Sequence, residues 1–257
     1  MVAPRTVGII GGMGPAATVL LMQRVIASVD GDDDRDHVPL IVDNNTQVPS
    51  RLDALLLGTG DDPWPVLAHM ARRLRQAGAE ALAMPCNTAH HYASQIATAT
   101  DIPLLDMVAL SATAARRRAG PDADIGIIGS PALRRIAVCD AALAAAGLRP
   151  IYPTDEPALL AAIRTIKAGG PDPAAAAAIE VAARDLLDRG AALCLIACTE
   201  FSLLTDALDE GLPLIDTLDV LVGAIHDFAF SAKPRLARPG DPQEAPGLQP
   251  AGEGQWQ

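Results

Sequence analysis

Aromatic residues are nearly missing from this chain: two Trp, two Tyr and three Phe in 257 residues. Half of the residues are still apolar, so a core of useful size has to be built from Ala, Val, Leu and Ile. Basic charge is also in short supply, with 20 Lys and Arg against 31 Asp and Glu and a net charge of −11. A surface of that sign repels phosphate backbones, which argues against nucleic acid as a partner. The short basic block Arg116-Arg117-Arg118 reads as the solvated end of a helix. No apolar run approaches the ~18 residues of a membrane span. The N-terminal stretch has no basic-then-apolar leader, because Val7-Gly8-Ile9-Ile10 runs straight into glycines. The expectation is a cytoplasmic protein with no membrane partner, whose four cysteines stay thiols. None are spaced Cys-x-x-Cys and the histidines complete no zinc pattern, so neither a disulfide nor a metal site is expected.

What the chain does have is an internal echo. Thr6-Val7-Gly8-Ile9-Ile10-Gly11 resembles Asp124-Ile125-Gly126-Ile127-Ile128-Gly129, 118 residues on. The stretch from Gly78 to Met84-Pro85-Cys86-Asn87-Thr88 resembles that from Gly190 to Ile196-Ala197-Cys198-Thr199-Glu200, 112 residues on. Ile102-Pro103-Leu104-Leu105-Asp106 resembles Leu212-Pro213-Leu214-Ile215-Asp216, 110 residues on. Three matches in the same order, with a slowly drifting offset, are what two related copies with different loop lengths produce.

Each echoed segment reads as a short strand buried on both faces, a near-continuous apolar run closed by Gly, Pro or a polar turn. Helical stretches lie between them, as at 65–77 and 173–188. The second carries a run of alanines and ends in Arg189-Gly190, a cationic end and a glycine stop. Strand–helix alternation of this kind predicts an α/β fold of two pseudosymmetric lobes, each a mostly parallel sheet flanked by helices, with a cleft between them. The boundaries read as 1–107 for the first lobe, completed by 212–232, and 108–211 for the second. Residues 233–257, with five prolines and four glycines, read as a disordered tail.

Ligands in such folds sit beyond the carboxyl ends of the strands, where both Cys86 and Cys198 fall. Each stands at a strand end with a hydroxyl residue next to it or one residue on and a helix about to begin. Helix N-termini offer free N–H groups and partial positive charge, which lower a thiol's pKa. Cys139, in a helical stretch, and Cys194, inside an apolar strand, lack that setting and read as structural. Two equivalent thiols facing one cleft suit removal of a proton from one face of a molecule and delivery to the other. Gly12-Met13-Gly14-Pro15-Ala16-Ala17 also fits a dinucleotide fingerprint. However, the acidic residue that should end the next strand is replaced by a hydrophilic loop, and the second copy lacks the glycines.

The segments Gly11-Gly12-Met13-Gly14-Pro15, Met84-Pro85-Cys86-Asn87-Thr88-Ala89-His90 and Ala197-Cys198-Thr199-Glu200 resemble the hallmarks of the aspartate/glutamate racemase family, aspartate branch foremost. The resemblance runs from about Val7 to Phe228. It implies a racemase of a small acidic amino acid that needs neither pyridoxal phosphate nor metal, commonly a homodimer. It implies Cys86 and Cys198 as the catalytic thiols, Cys198 serving the L form and Cys86 the D form. Arg51 would hold the side-chain carboxylate, and Lys167 would be a second cationic contact. Asn87, Thr88 and Thr199 would hold the α-carboxylate and amino group, with Met13 and Ser130 beside the substrate. Glu200 would either complement a helix dipole or bond the substrate ammonium. His90 and His91 would either pair with Cys86 or lie on the surface.

Some positions depart from the pattern. Ser50 stands where an acidic residue is usual, Ala197 where glycine is, and Ser130-Pro131 where two threonines are. These are expected near the substrate side chain, and the added methyl of Ala197 is expected to reshape the pocket. Other readings are a hydantoin racemase, maleate isomerase or malonate decarboxylase of the same superfamily, or a two-lobe binding protein without activity.

Overall fold

A computed structural model of the protein describes residues 3–231. The 233–257 stretch expected to be a disordered tail lies outside them. The first half of the chain runs through β1 (Val7–Gly11), α1 (Pro15–Ala27), β2 (Leu40–Asn44), α2 (Trp64–Gln76), β3 (Ala81–Ala83), α3 (Ala93–Ala99) and β4 (Leu104–Leu105). Helix α4 (Met107–Ala119) leads into β5 (Asp124–Gly129), α5 (Pro131–Ile136), α6 (Val138–Ala145) and β6 (Arg149–Ile151). The chain closes through α7 (Glu156–Gly169), α8 (Pro173–Asp188), β7 (Leu193–Ala197), β8 (Leu214–Asp216) and α9 (Thr217–Phe230).

The strands form two four-stranded sheets, ordered β2-β1-β3-β4 and β6-β5-β7-β8, with parallel pairing throughout. The three echoed segments are the equivalent strands of the two sheets: β1 with β5, β3 with β7, β4 with β8. Strands β1 and β7 are buried along their whole length, which is why they read as continuous rather than alternating apolar runs. The closing aspartates of β4 and β8 have a second use. Asp106 accepts from the N–H groups of Val108 and Ala109 at the start of α4. Asp216 accepts from Leu218 at the start of α9, so both act as N-caps.

Aliphatic side chains alone fill the layers between sheets and helices almost everywhere. Helices α2 and α3 pack on one side of the first sheet, through Leu67, Met70, Leu74 and Ile96. Helices α1 and α9 cover the other, through Leu21, Val25, Leu221 and Ile225. The second sheet is covered by α7 and α8 on one side and by α4 and α6 on the other. Thus α4, which follows the first sheet in sequence, packs on the second, and α9 returns to the first. Among the described residues no helix is long and apolar enough to cross a membrane.

The loop after β1 shows why glycine is needed there. Gly12 has φ +90°, and a Cβ on it would lie 2.3 Å from the carbonyl carbon and oxygen of Asn45. The loops leaving β1 and β2 therefore touch backbone to backbone. Thr18 Oγ1 accepts from Gly12 N–H at 3.0 Å and donates to Gly14 O at 3.1 Å, so the loop is braced from within. Gly12→Ala is expected to cost more than about 3 kcal/mol, combining left-handed strain with a clash against fixed backbone. Gly58 also has positive φ, but a Cβ there meets nothing within 4 Å. Gly58→Ala should therefore cost only about 1–2 kcal/mol. Urea unfolding of the two variants measures the difference, and equal losses would contradict the close approach.

Candidate active site

The carboxyl ends of both sheets open on a common cleft of about 440 Å³. The loop after β1 contributes Met13 and Gly14, and that after β2 contributes Ser50 and Arg51. Cys86 and Thr88 follow β3, Ser130 follows β5, and Cys198 and Glu200 follow β7. Lys167 reaches in from the last turn of α7, and Ile163, Ile166 and Leu203 make an apolar wall that the sequence reading did not anticipate. The two thiols are almost equally buried, each 8% exposed.

Asn87 and Thr199, expected to hold substrate, do not line the cleft. Thr199 is buried and its hydroxyl donates to Pro85 O at 3.0 Å. Asn87 Nδ2 donates to Thr217 Oγ1 at 3.0 Å, and Thr217 Oγ1 donates to Ile196 O at 2.8 Å. The Thr217 proton is committed to Ile196, so Asn87 must donate through its amide, which fixes that amide's orientation. Ala197 also departs from expectation. Its side chain packs in the core between α4 and the second sheet, so its methyl enters that core rather than the cleft, while Ser50 and Ser130 do line the cleft.

Lys167, expected as a second cationic contact, lines the cleft and is paired there with the Glu200 carboxylate. The pair fits under Gly14, where a Cβ would come within 3.3 Å of Glu200 Oε1 and 3.7 Å of Lys167 Nζ. The other Glu200 oxygen accepts a hydrogen bond from Cys198 Sγ at 3.1 Å. The turns after the cysteines are 3-10 helical, at Thr88–Tyr92 and Phe201–Ala207, and they do not lower the Cys198 pKa as expected. Burial pushes the Cys198 thiol well above its ordinary value, and the charge of Glu200 and the hydrogen bond to it add to the rise. The Glu200 N–H and the Lys167 charge act the other way but do not prevail. Cys198 is therefore a protonated thiol at neutral pH in this arrangement. For Lys167, burial works to lower the pKa, but attraction to Glu200, and to charge on Cys86 and Cys198, holds it above the usual lysine value. Cys139 and Cys194 lie away from the cleft in the core, both pushed up to about 12, with burial as the main cause.

This is a cleft with two equivalent thiols, and comparison with known proteins gives it a family. A family model described as Asp/Glu/Hydantoin racemase matches residues 10–225. The chain belongs to this family. Among solved structures it resembles the aspartate racemase of Picrophilus torridus, with TM-score 0.77 and 24% identity over 88% of this chain and 94% of that one. It also resembles a putative Asp/Glu racemase from Yersinia pestis, with TM-score 0.71 and 25% identity over 88% and 100% of the two chains. A more distant likeness is to glutamate racemase from Francisella tularensis in complex with D-glutamate, with TM-score 0.60 and 14% identity over 88% and 81%.

In this racemase-family cleft Arg51 has no carboxylate partner among the described residues. Its Nη1 donates to the carbonyls of Val48 at 3.1 Å and Pro49 at 2.7 Å, which orient the guanidinium. Its buried Nε has no partner, an arrangement suited to receiving an anion. His90 supports the Cys86 turn from behind rather than touching the thiol. Its Nε2 accepts from Met107 N–H at 3.1 Å, so Nδ1 carries the proton that bonds Cys86 O at 2.8 Å. His91 is exposed. The His90 counterpart in the second copy is Ser202, whose hydroxyl donates to Asp216 at 2.7 Å, so each turn is tied to the start of the helix that follows the next strand.

Full burial lowers the His90 pKa, with Asp106 and the bond to Cys86 O opposing only in part. The unfolded chain then takes up a proton below about pH 6.5 that the folded chain refuses. Stability from this group is complete above that pH and is lost as pH falls below it, by up to about 1.4 kcal/mol per unit. Urea unfolding between about pH 8 and pH 5 should show a steeper acid loss for the parent than for His90→Gln. Parallel pH profiles would contradict a buried neutral His90.

Proposed function

We propose that the chain interconverts the L and D forms of a small acidic amino acid, aspartate or glutamate, by passing the α-proton between Cys86 and Cys198 without a cofactor. One observation carries the proposal: the thiols that end equivalent strands of two sheets line one cleft together with an arginine free to bind a carboxylate. Racemisation needs a base on one face of the α-carbon and an acid on the other, and two related lobes supply them from opposite sides.

The α-proton is far less acidic than a thiol, so the cleft has to help. Arg51 takes the distal carboxylate. Thr88 and Ser130, which line the cleft, supply hydroxyls to the α-carboxylate as charge develops on it. For the D form Cys86 removes the proton from one face and Cys198 delivers its own to the other. The L form needs the converse state, with Cys198 as the base and Cys86 as the protonated donor, and inversion of a D molecule leaves the thiols in that state, so each turnover sets the site for the reverse direction. Lys167 balances the charge of Glu200 and of either thiolate throughout. Among the described residues no group of three or more His, Cys, Asp or Glu is placed to hold a metal ion.

Chiral chromatography of an amino-acid panel tests the reading. Aspartate or glutamate should be racemised by protein stripped with chelator and freed of pyridoxal phosphate, whereas activity that disappears with the metal would overturn the cofactor-independent route. Arg51→Ala should lower kcat/KM for the acidic substrate roughly 10- to 150-fold, the value of a charged hydrogen bond of ~1.5–3 kcal/mol. A neutral amino acid, if turned over, should be almost unaffected. Equal losses would remove Arg51 from the side-chain site.

A further inference from the structure

Asn87 and Thr199 occupy equivalent positions in the two copies, each directly after its cysteine. Both turn away from the cleft, and each is tied, directly or through Thr217, to the backbone at the end of the other sheet's cysteine strand. Thr199 Oγ1 bonds Pro85 O, across 114 residues of sequence. Asn87 Nδ2 bonds Thr217 Oγ1, across 130 residues, and Thr217 passes the link on to Ile196 O. Pro85 directly precedes Cys86, and Ile196 stands two residues before Cys198. The residue after each thiol is thus bonded, directly or through one hydroxyl, to the backbone just before the other thiol. Asn87, Thr199 and Thr217 are 3%, 1% and 1% exposed, so water does not compete for these bonds.

We propose that the Thr199 hydroxyl and the Asn87–Thr217 side-chain relay are positioning groups that set the separation of the two sulfurs across the substrate. This inference rests on the racemase reading above. Inversion uses both thiols at once and is sensitive to their spacing, since a shift of about 1 Å can cost roughly 100-fold in rate. Removal and return of a proton on one face uses one thiol and tolerates a shift of the other. Sequence periodicity offered no sign of Thr217, because its counterpart in the first copy is Met107.

The test compares Thr217→Val and Thr199→Val with Thr217→Ser and Thr199→Ser in the full chain. In deuterated water with aspartate and glutamate, each valine variant should lower kcat for inversion by roughly tenfold or more, leave KM within about threefold, and raise the deuterium found in recovered substrate relative to product. The serine variants, which keep the hydroxyl, should restore most of the rate. A raised KM with unchanged kcat would return the hydroxyls to the substrate, and equal losses of inversion and one-sided exchange would also overturn the proposal. Amide hydrogen exchange without substrate separates this from failure of the racemase reading. Thr217→Val should speed exchange in both cysteine turns, although Thr217 belongs to neither, and an effect confined to residue 217 and its neighbours would overturn the lock even if the parent racemises nothing on the panel. If Thr217→Val does not fold, Thr199→Val carries the same comparison from the other side.

Discussion

Two cysteine turns, 112 residues apart in sequence, are buried against each other at the carboxyl ends of two separate sheets, and most of the molecule serves to keep them there. Helix α4 packs on the second sheet and α9 on the first, so the chain crosses from one lobe to the other and back. Arg24 on α1 ties the first lobe to the second turn, donating to Asp216, to Ser202 O and to Thr205. His90 holds the Cys86 carbonyl from behind. In a core of small aliphatic side chains, these buried polar links give the turns a unique register that apolar packing alone does not specify, because leaving any one of them unpaired costs about 1–3 kcal/mol.

The two copies have diverged where the proposed chemistry differs. Cys198 has a carboxylate two residues on, bonded to its sulfur and balanced by Lys167. Cys86 has Thr88 at the equivalent position, and Ser50 lines the same cleft where the family resemblance leads one to expect an acidic residue. The site is therefore pseudosymmetric in backbone but asymmetric in proton inventory. A carboxylate next to a buried thiol raises its pKa.

Much of this was legible in the sequence. The drifting repeat identified which strands are equivalent, because doubly buried parallel strands have to be continuous apolar runs. Matching thiols at two strand ends pointed to the cleft. What escaped was decided by partners far away in sequence. Nothing local distinguishes an Asn87 or Thr199 that faces substrate from one that bonds the opposite lobe. Ala197 sits beside a catalytic candidate yet points into the core, since neighbours along a strand alternate in direction. The pairing of Lys167 with Glu200 was not legible because the two arrive from different elements. The thiol pKa was misjudged for a similar reason: helix-terminal N–H groups are visible in a pattern, whereas burial and a carboxylate at 3.1 Å are not.

The central claim is that Cys86 and Cys198 act as separate bases on opposite faces of one α-carbon. Proton NMR of each enantiomer of the substrate in deuterated water, with Cys86→Ser and Cys198→Ser, tests it most directly. The account predicts that neither variant racemises, while each still exchanges the α-proton of one enantiomer with retention, Cys86→Ser acting on the L form and Cys198→Ser on the D form. Racemisation at the parent rate by either variant, or an equal loss from Cys139→Ser, would contradict it.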